Sequence, residues 1–444
     1  MELWRAFRRL WKRDGFRRLL LLRLAAQSAD GTLQVGMASY VLFSPQSQPN
    51  AWAIAAVLAI SLLPFTILGP FVSPLLDRWS RRDVALHTGI IRAVLSLVIA
   101  LIVGAGWTSG GGTTALMVLL LVALSLNRFM LAGLSAGMHH TVSQREFLSA
   151  SAIIPSVGPL GVVVGGALGL GIRLVLGRFV PSHVADAVIF VAAALLFVWS
   201  AAVSATFARD ALGPDRAGEL PSMRRVLHGL ADAGRHLWER KAALLGLADM
   251  AITRFLFGLV SVAMILVARN RWHPVTEPDA ALVDLGVWGG LTGAGFLLAA
   301  VFVPAAVRRA GLATTLLGLL LLGVLGTAIA TFSDSRWALF TMSFIVGLVT
   351  QSVKICADGI VHAHVDEPLK GRVFTFYDMG FNGAYVLAAV AAALALPPDG
   401  VAASAFALMA LTFGVTATLT AAAVARITRE DFERGSEDLV AARS

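Results

Sequence analysis

The chain has 444 residues, 57% of them hydrophobic and only 14% charged, against about 25% charged in ordinary soluble domains. Its net charge is +9, but the basic residues sit between apolar runs rather than in one patch. That excludes a nucleic-acid partner as their explanation and points to the positive-inside rule of membrane proteins. The one cysteine, Cys356, excludes an intrachain disulfide.

At the start of the chain, Trp4, Phe7 and Trp11 share one helical face, with Arg5, Arg8, Arg9 and Lys12 opposite. Residues 1–17 thus read as a cytoplasmic amphipathic segment suited to the anionic inner leaflet, or as a plain topology signal. The first apolar run contains Arg23 and Asp30 and lacks a small-residue cleavage site, so it reads as a membrane span and not a signal peptide. Runs of roughly 20 apolar residues mark spans, placed at 18–43, 51–73, 84–106, 113–137, 148–176, 184–208, 241–268, 283–306, 312–332, 337–359, 373–396 and 401–425. Turn chemistry separates them, as at Gly110-Gly111-Gly112 and Pro397-Pro398-Asp399-Gly400.

With the N-terminus cytoplasmic, 26 of the 36 Lys and Arg fall on the inner side, 5 on the outer side and 5 within spans. This asymmetry puts both termini in the cytoplasm. The longest polar stretch, 209–240, lies midway and includes an amphipathic pattern from Met223. The expected fold is therefore an all-α membrane protein of twelve transmembrane helices in two pseudo-symmetric six-helix bundles. Residues 18–208 form the first bundle, 209–240 a cytoplasmic linker, 241–425 the second bundle and 426–444 a cytoplasmic tail.

Internal similarity supports two halves. At offsets of 223–227, Arg81-Arg82 matches Arg308-Arg309, Arg128 matches Lys354, and His139-His140 matches His362 and His364.

Four local segments carry a resemblance. The loop Ser73-Pro74-Leu75-Leu76-Asp77-Arg78-Trp79-Ser80-Arg81-Arg82 resembles the loop motif of the major facilitator superfamily, with serine at 73 and 80 where glycine is usual. Pro155 through Pro159, followed by Gly165-Gly166, is similar to the glycine-proline motif of exporter branches of that superfamily. Asn127-Arg128-Phe129 and the following residues resemble its span-4 motif. The loop Glu367-Pro368-Leu369-Lys370-Gly371-Arg372 resembles the branch of macrolide and enterobactin exporters. The resemblance implies a cytoplasmic latch at Asp77, Arg78, Arg81 and Arg82. It also implies a helix-packing motif at Gly158, Pro159, Gly165 and Gly166, where small residues let helices approach and proline lets one bend.

Ionisable groups inside spans need a partner, a water cavity or a function. Asp30 lies 12 residues past Arg18 and Arg128 lies 10 before Met138, at ~18 Å and ~15 Å from the same face on a helical rise. The matching depth predicts that they face each other or a shared cavity, as a proton-coupling pair or as a structural ion pair between spans. Gln27, Gln34, Asn127, Asp249, Arg254, Lys354, Asp378 and Asn382 are candidates for a substrate cavity, Lys354 and Asp358 being spaced to pair along one helix.

No phosphate-binding loop or hydrolase motif occurs, and the histidines sit at helix ends, so the expectation is no enzyme, no cofactor and no metal. The resemblance implies a proton-coupled exporter of amphipathic or lipophilic small molecules by alternating access. Its partners would be a small-molecule or lipid-like substrate, protons and membrane lipids, and it would act as a monomer in the inner cell membrane. The alternatives are an importer or lipid or lysolipid flippase of the same fold, and, from another class, a non-transporting receptor or scaffold.

Overall fold

The structure, a computed structural model, describes residues 8–42, 51–67, 79–107, 111–137, 141, 144–213, 223–274, 277–427, 432–434 and 436. Among these residues every regular element is helical. In chain order they are α1 (Asp14–Met37, continued by a π turn at Ala38–Leu42), α2 (Ala51–Ile67), α3 (Arg81–Gly104), α4 (Gly111–Gly137), α5 (Gln144–Leu176), α6 (Ser182–Ala205) and α7 (Met223–Glu239). There follow α8 (Lys241–Asn270), α9 (Pro278–Ala310), α10 (Leu312–Phe332), α11 (Arg336–His364), α12 (Glu367–Ala395) and α13 (Ala403–Arg426).

Local chemistry sets several of the boundaries. Ser80 caps α3 by accepting the Asp83 amide at 3.3 Å, and Ser335 caps α11 through the Ala338 amide at 3.3 Å. Proline in the first turn of α9 and α12 removes only an N–H that the helix leaves unpaired anyway. Gly311 joins α9 to α10 at φ 81, a conformation that suits glycine. Having no side chain to cap α10, it is replaced in that role by Glu433, whose carboxylate accepts the Leu312 and Ala313 amides at 2.8 and 3.2 Å. A Glu433→Ala variant is expected to lose about 1–2 kcal/mol at this helix start, read as lower thermal stability of the purified protein.

Ten of the helices, among the described residues, are long and apolar enough to cross a membrane. The expected number was twelve. The first expected span, in α1, is interrupted by Arg23, Gln27, Asp30 and Gln34. The second is described over only 17 residues, in α2, the rest of 51–73 lying outside the described residues. The outward faces are apolar: Leu101 is 73% exposed, Leu297 75% and Leu411 61%. Such a surface on helix after helix is stable only against lipid.

The chain divides into two compact units, Met1–Gln48 with Ile67–Pro221, and Pro49–Thr66 with Ser222–Ser444. The segment around α2 thus groups with the second unit, where Leu58 and Leu62 pack on its core. In the first unit α1 packs on α5 and α6, and α3 on α4 and α6. In the second, α8 packs on α11 and α12, and α10 on α11 and α13. Three pairings recur in the same chain order: α1 with α5 as α8 with α12, α3 with α6 as α10 with α13, and α3 with α4 as α10 with α11. Residues 223–239, expected within the linker, form α7, whose Ala233 and Leu237 are buried with Leu247, Met250, Val373 and Tyr377. Of the N-terminal amphipathic segment, residues 1–7 lie outside the described residues; Leu10 is buried and Trp11 exposed.

The recurrence extends to single glycines. A Cβ on Gly31 of α1 would overlap the Val162 carbonyl of α5, and one on Gly258 of α8 would lie 2.6 Å from the Ala388 Cβ of α12. Gly31 and Gly258 are 227 residues apart, so a close helix approach is built at matching positions.

Candidate functional site

The first unit buries a charged cluster at mid-helix. Asp30 on α1 is 0% exposed and forms an ion pair with Arg92 on α3, itself 0% exposed. The other guanidinium nitrogen of Arg92 donates to Asn127 Oδ1 on α4 at 3.4 Å. The guanidinium also lies 4.0 Å from the ring centre of Phe197 on α6. Four helices therefore meet on one carboxylate and one arginine. A charge at this depth costs ~3 kcal/mol or more if left alone, and the pair neutralises it. One carboxylate oxygen, Asp30 Oδ2, has no hydrogen-bond partner among the described residues.

The sequence placed Asp30 and Arg128 facing each other or a shared cavity; the direct ion pair of Asp30 is with Arg92 instead. Arg128 is half-buried on α4, but Asp30 closes on Arg92. Arg92 lies 11 residues into α3 from Arg81, ~16 Å along the helix, so depth alone admits both arginines. Which one meets Asp30 depends on how each helix is rotated about its axis, and no hydropathy count contains that. Asn127, expected from sequence to line a substrate cavity, belongs to this cluster.

Of the expected latch, Asp77 and Arg78 lie outside the described residues. Arg81 donates to the Leu212 carbonyl at 3.1 Å, and Arg82 pairs with Asp83 at 2.8 Å. Arg209 reaches the same Asp83 at 2.9 Å. Ser80 donates to the Arg209 carbonyl at 2.7 Å and Ser204 to the Arg82 carbonyl at 3.0 Å. These bonds tie the start of α3 to the segment after α6, within the first unit. Asp83 is an acid the sequence reading passed over, although it directly follows Arg82.

The glycine motif resolves into unequal parts. A Cβ on Gly165 would overlap the Ser28 carbonyl, whereas Gly158 and Gly166 have only ordinary neighbours at 3.5 and 3.7 Å. Pro159 is exposed. Gly161, which the motif reading did not single out, is tight as well, at 2.8 Å from the Gln27 Cβ. Thr32 then bridges the helices, donating to the Gly165 carbonyl at 2.9 Å.

A second buried pair joins Arg173 of α5 to Asp186 of α6 at 3.5 Å, with Ser39 donating to Asp186 at 2.6 Å. Arg173 is 1% exposed near the end of α5.

In the second unit Asp249 is buried and its carboxylate lies 2.9 and 3.0 Å from the Thr420 hydroxyl, pinning α8 to α13. Arg254 of α8 and Lys354 of α11 come together around Phe381 of α12. The Arg254 guanidinium lies 4.2, 4.5 and 5.3 Å from the ring centres of Phe381, Tyr385 and Phe257. The Lys354 amine lies 5.1 and 5.7 Å from Tyr377 and Phe381 and pairs with Asp358 at 3.2 Å, as its spacing predicted. Asn382 turns back to the Asp378 carbonyl at 2.9 Å. Gln27 is half-buried with its carbonyl oxygen unpartnered among the described residues, and Gln34 is half-buried. His139 and His140 lie outside the described residues. His362 stacks on Phe374 at 4.8 Å, and His364 meets its own helix at the Ile360 carbonyl, 2.7 Å away.

Comparison with known proteins adds the following. The family model of the Major Facilitator Superfamily matches residues 20–389. Two uncharacterised MFS-type transporters, of Mycobacterium bovis and Mycobacterium tuberculosis, are each 32% identical over 413 residues, covering 90% of this chain and 88% of theirs. Among solved structures, the nucleoside transporter NupG superposes with a TM-score of 0.67 at 14% identity, over 92% of this chain and 99% of that one. An inward-facing, unoccupied bacterial homologue of the human lysosomal transporter Spinster gives 0.60 at 14% identity, over 97% and 98%. At such identities the likeness is one of fold.

Proposed function

The chain belongs to the Major Facilitator Superfamily, a family of membrane transporters, and we propose that it is a proton-coupled exporter of amphipathic or lipophilic small molecules. It acts by alternating access in the inner cell membrane, as a monomer with twelve spans and both termini cytoplasmic. The observation that carries this reading is the Asp30–Arg92 pair. Protonation of Asp30 abolishes its charge and frees Arg92; loss of the proton restores the pair. Such a pair is a two-state element that a proton biases directly. Asn127 holds Arg92 while Asp30 is neutral, and Arg128 on the same helix modulates the local field. The loop from Asp77 to Arg82 serves as the cytoplasmic latch. Export as the direction is supported by the resemblance of α5 and of the loop at 367–372 to exporter branches.

The test is reconstitution into proteoliposomes under an imposed pH gradient, with ethidium and a macrolide as probes and a pH dye as second readout. Expected is movement of at least one probe with opposite movement of protons, and loss of the proton signal in Asp30→Asn. Undiminished coupled transport by Asp30→Asn sinks the assignment of Asp30.

A further inference from the structure

Arg254 is a cation that no carboxylate answers. Among the described residues it makes no salt bridge, and its Nε has no hydrogen-bond partner. Asp249, the acid nearest it in the sequence of α8, is held by Thr420. Lys354 pairs with one acid of its own helix, Asp358. Two cations thus meet among aromatic rings, and only Lys354 has a carboxylate partner, Asp358, among the described residues. Rings attract a cation through their faces but do not neutralise it. A guanidinium is matched by a planar or tetrahedral oxyanion, which it can meet with two parallel hydrogen bonds. The Lys354 side chain is 27% exposed.

The duplication argues against a mere packing role. The positions 227 residues earlier hold Gln27 where Arg254 stands and Asp30 where Phe257 stands. The close approach at Gly31 and Gly258 is present in both halves, so the backbone packing does not require the arginine.

We propose that Arg254 and Lys354, walled by Phe257, Phe381, Tyr377 and Tyr385, bind the anionic group of the transported amphiphile: a carboxylate, sulfate or phosphate carried on an aromatic or acyl body. This rests on the reading of the protein as an exporter of amphiphiles and names the charge of its cargo. Arg254 supplies the directional bonds, Lys354 a mobile second charge shared with Asp358, and the rings an apolar surface for the body next to the charge.

The experiment uses the purified full chain and three probes on one dansyl-labelled eleven-carbon chain: the carboxylic acid, its methyl ester and the corresponding trimethylammonium. Binding is read by fluorescence and transport in proteoliposomes under a pH gradient. The acid is expected to bind about tenfold or more tighter than the ester, the gain of one charge-assisted contact. Arg254→Gln is expected to remove that preference and Arg254→Lys to keep part of it. Thermal unfolding of both variants separates a lost site from a lost fold, and Phe381→Leu, which leaves both charges, is expected to weaken all three probes alike. Equal binding of acid and ester, tighter binding of the ammonium, or an unchanged preference in a folded Arg254→Gln overturns the proposal. Export of the ester or ammonium without binding of the acid overturns it while leaving the exporter reading intact. Selective binding of the acid without proton-linked movement of any probe supports the anion site and defeats the exporter reading.

Discussion

A Gly165→Ala variant is expected to fold poorly, while Gly166→Ala one residue on behaves like the parent protein. The added methyl at 165 would overlap the Ser28 carbonyl of α1, a backbone atom that no rotamer change can move aside. The helices must part, and parting breaks the 2.9 Å bond from Thr32 to the Gly165 carbonyl and loosens the approach at Gly31 and Gly161. Ordinary overpacking costs about 1–3 kcal/mol; a clash between backbones with loss of a buried hydrogen bond exceeds that range. At Gly166 the added methyl meets Val35 at 3.7 Å, an ordinary contact. Yield of monodisperse protein and thermal unfolding in detergent read the contrast. Equal stability of the two variants would show that α1 and α5 do not approach as described.

The other large effect concerns the buried ion pair. Asp30→Asn leaves the Arg92 guanidinium, 0% exposed, without its counter-charge. Removing one member of a buried pair costs about 3–5 kcal/mol, mostly because the survivor stays buried and charged. Arg92→Gln strands the carboxylate and is expected to cost a similar amount. The double variant removes both charges, and an apolar or neutral polar replacement of a whole pair is often near neutral. A double-mutant cycle measured by thermal unfolding is therefore expected to show strong coupling, with the double variant more stable than either single one. The same cycle with Arg128 in place of Arg92 is the control: additive costs there, and non-additive costs with Arg92, follow from the observed pairing. The reverse outcome would return Asp30 to the partner expected from sequence.

Much of the architecture was legible before any coordinates. The apolar runs mark the helices because lipid demands long uninterrupted hydrophobicity. The buried acid at 30 stands out because a lone carboxylate in that setting is costly. Lys354 and Asp358 were predictable as a pair because four residues return a helix to the same face. What stayed hidden depends on rotation and on neighbours far along the chain. Arg92 and Arg128 lie at similar depth on adjacent helices, and only the azimuth of α3 brings the first to Asp30. Gly161 and Gly31 do the same kind of work as Gly165, but among 42 glycines nothing in the sequence marks the ones that touch a backbone. The pairing of Arg173 with Asp186 was hidden too, because the acid lies on the next helix across the turn.

The pair of glycines 227 residues apart has a further consequence. Each is locked by the atoms of the helix opposite, so each copy of the ancestral segment has little freedom to drift there. The side chains four residues and one residue before them are under no such constraint, and they differ: glutamine against arginine, aspartate against phenylalanine. Duplication of this kind lets one half keep an inherited joint while its chemistry is rewritten. Two copies of one scaffold can thereby carry different chemistry without either having to invent a new way of holding its helices together.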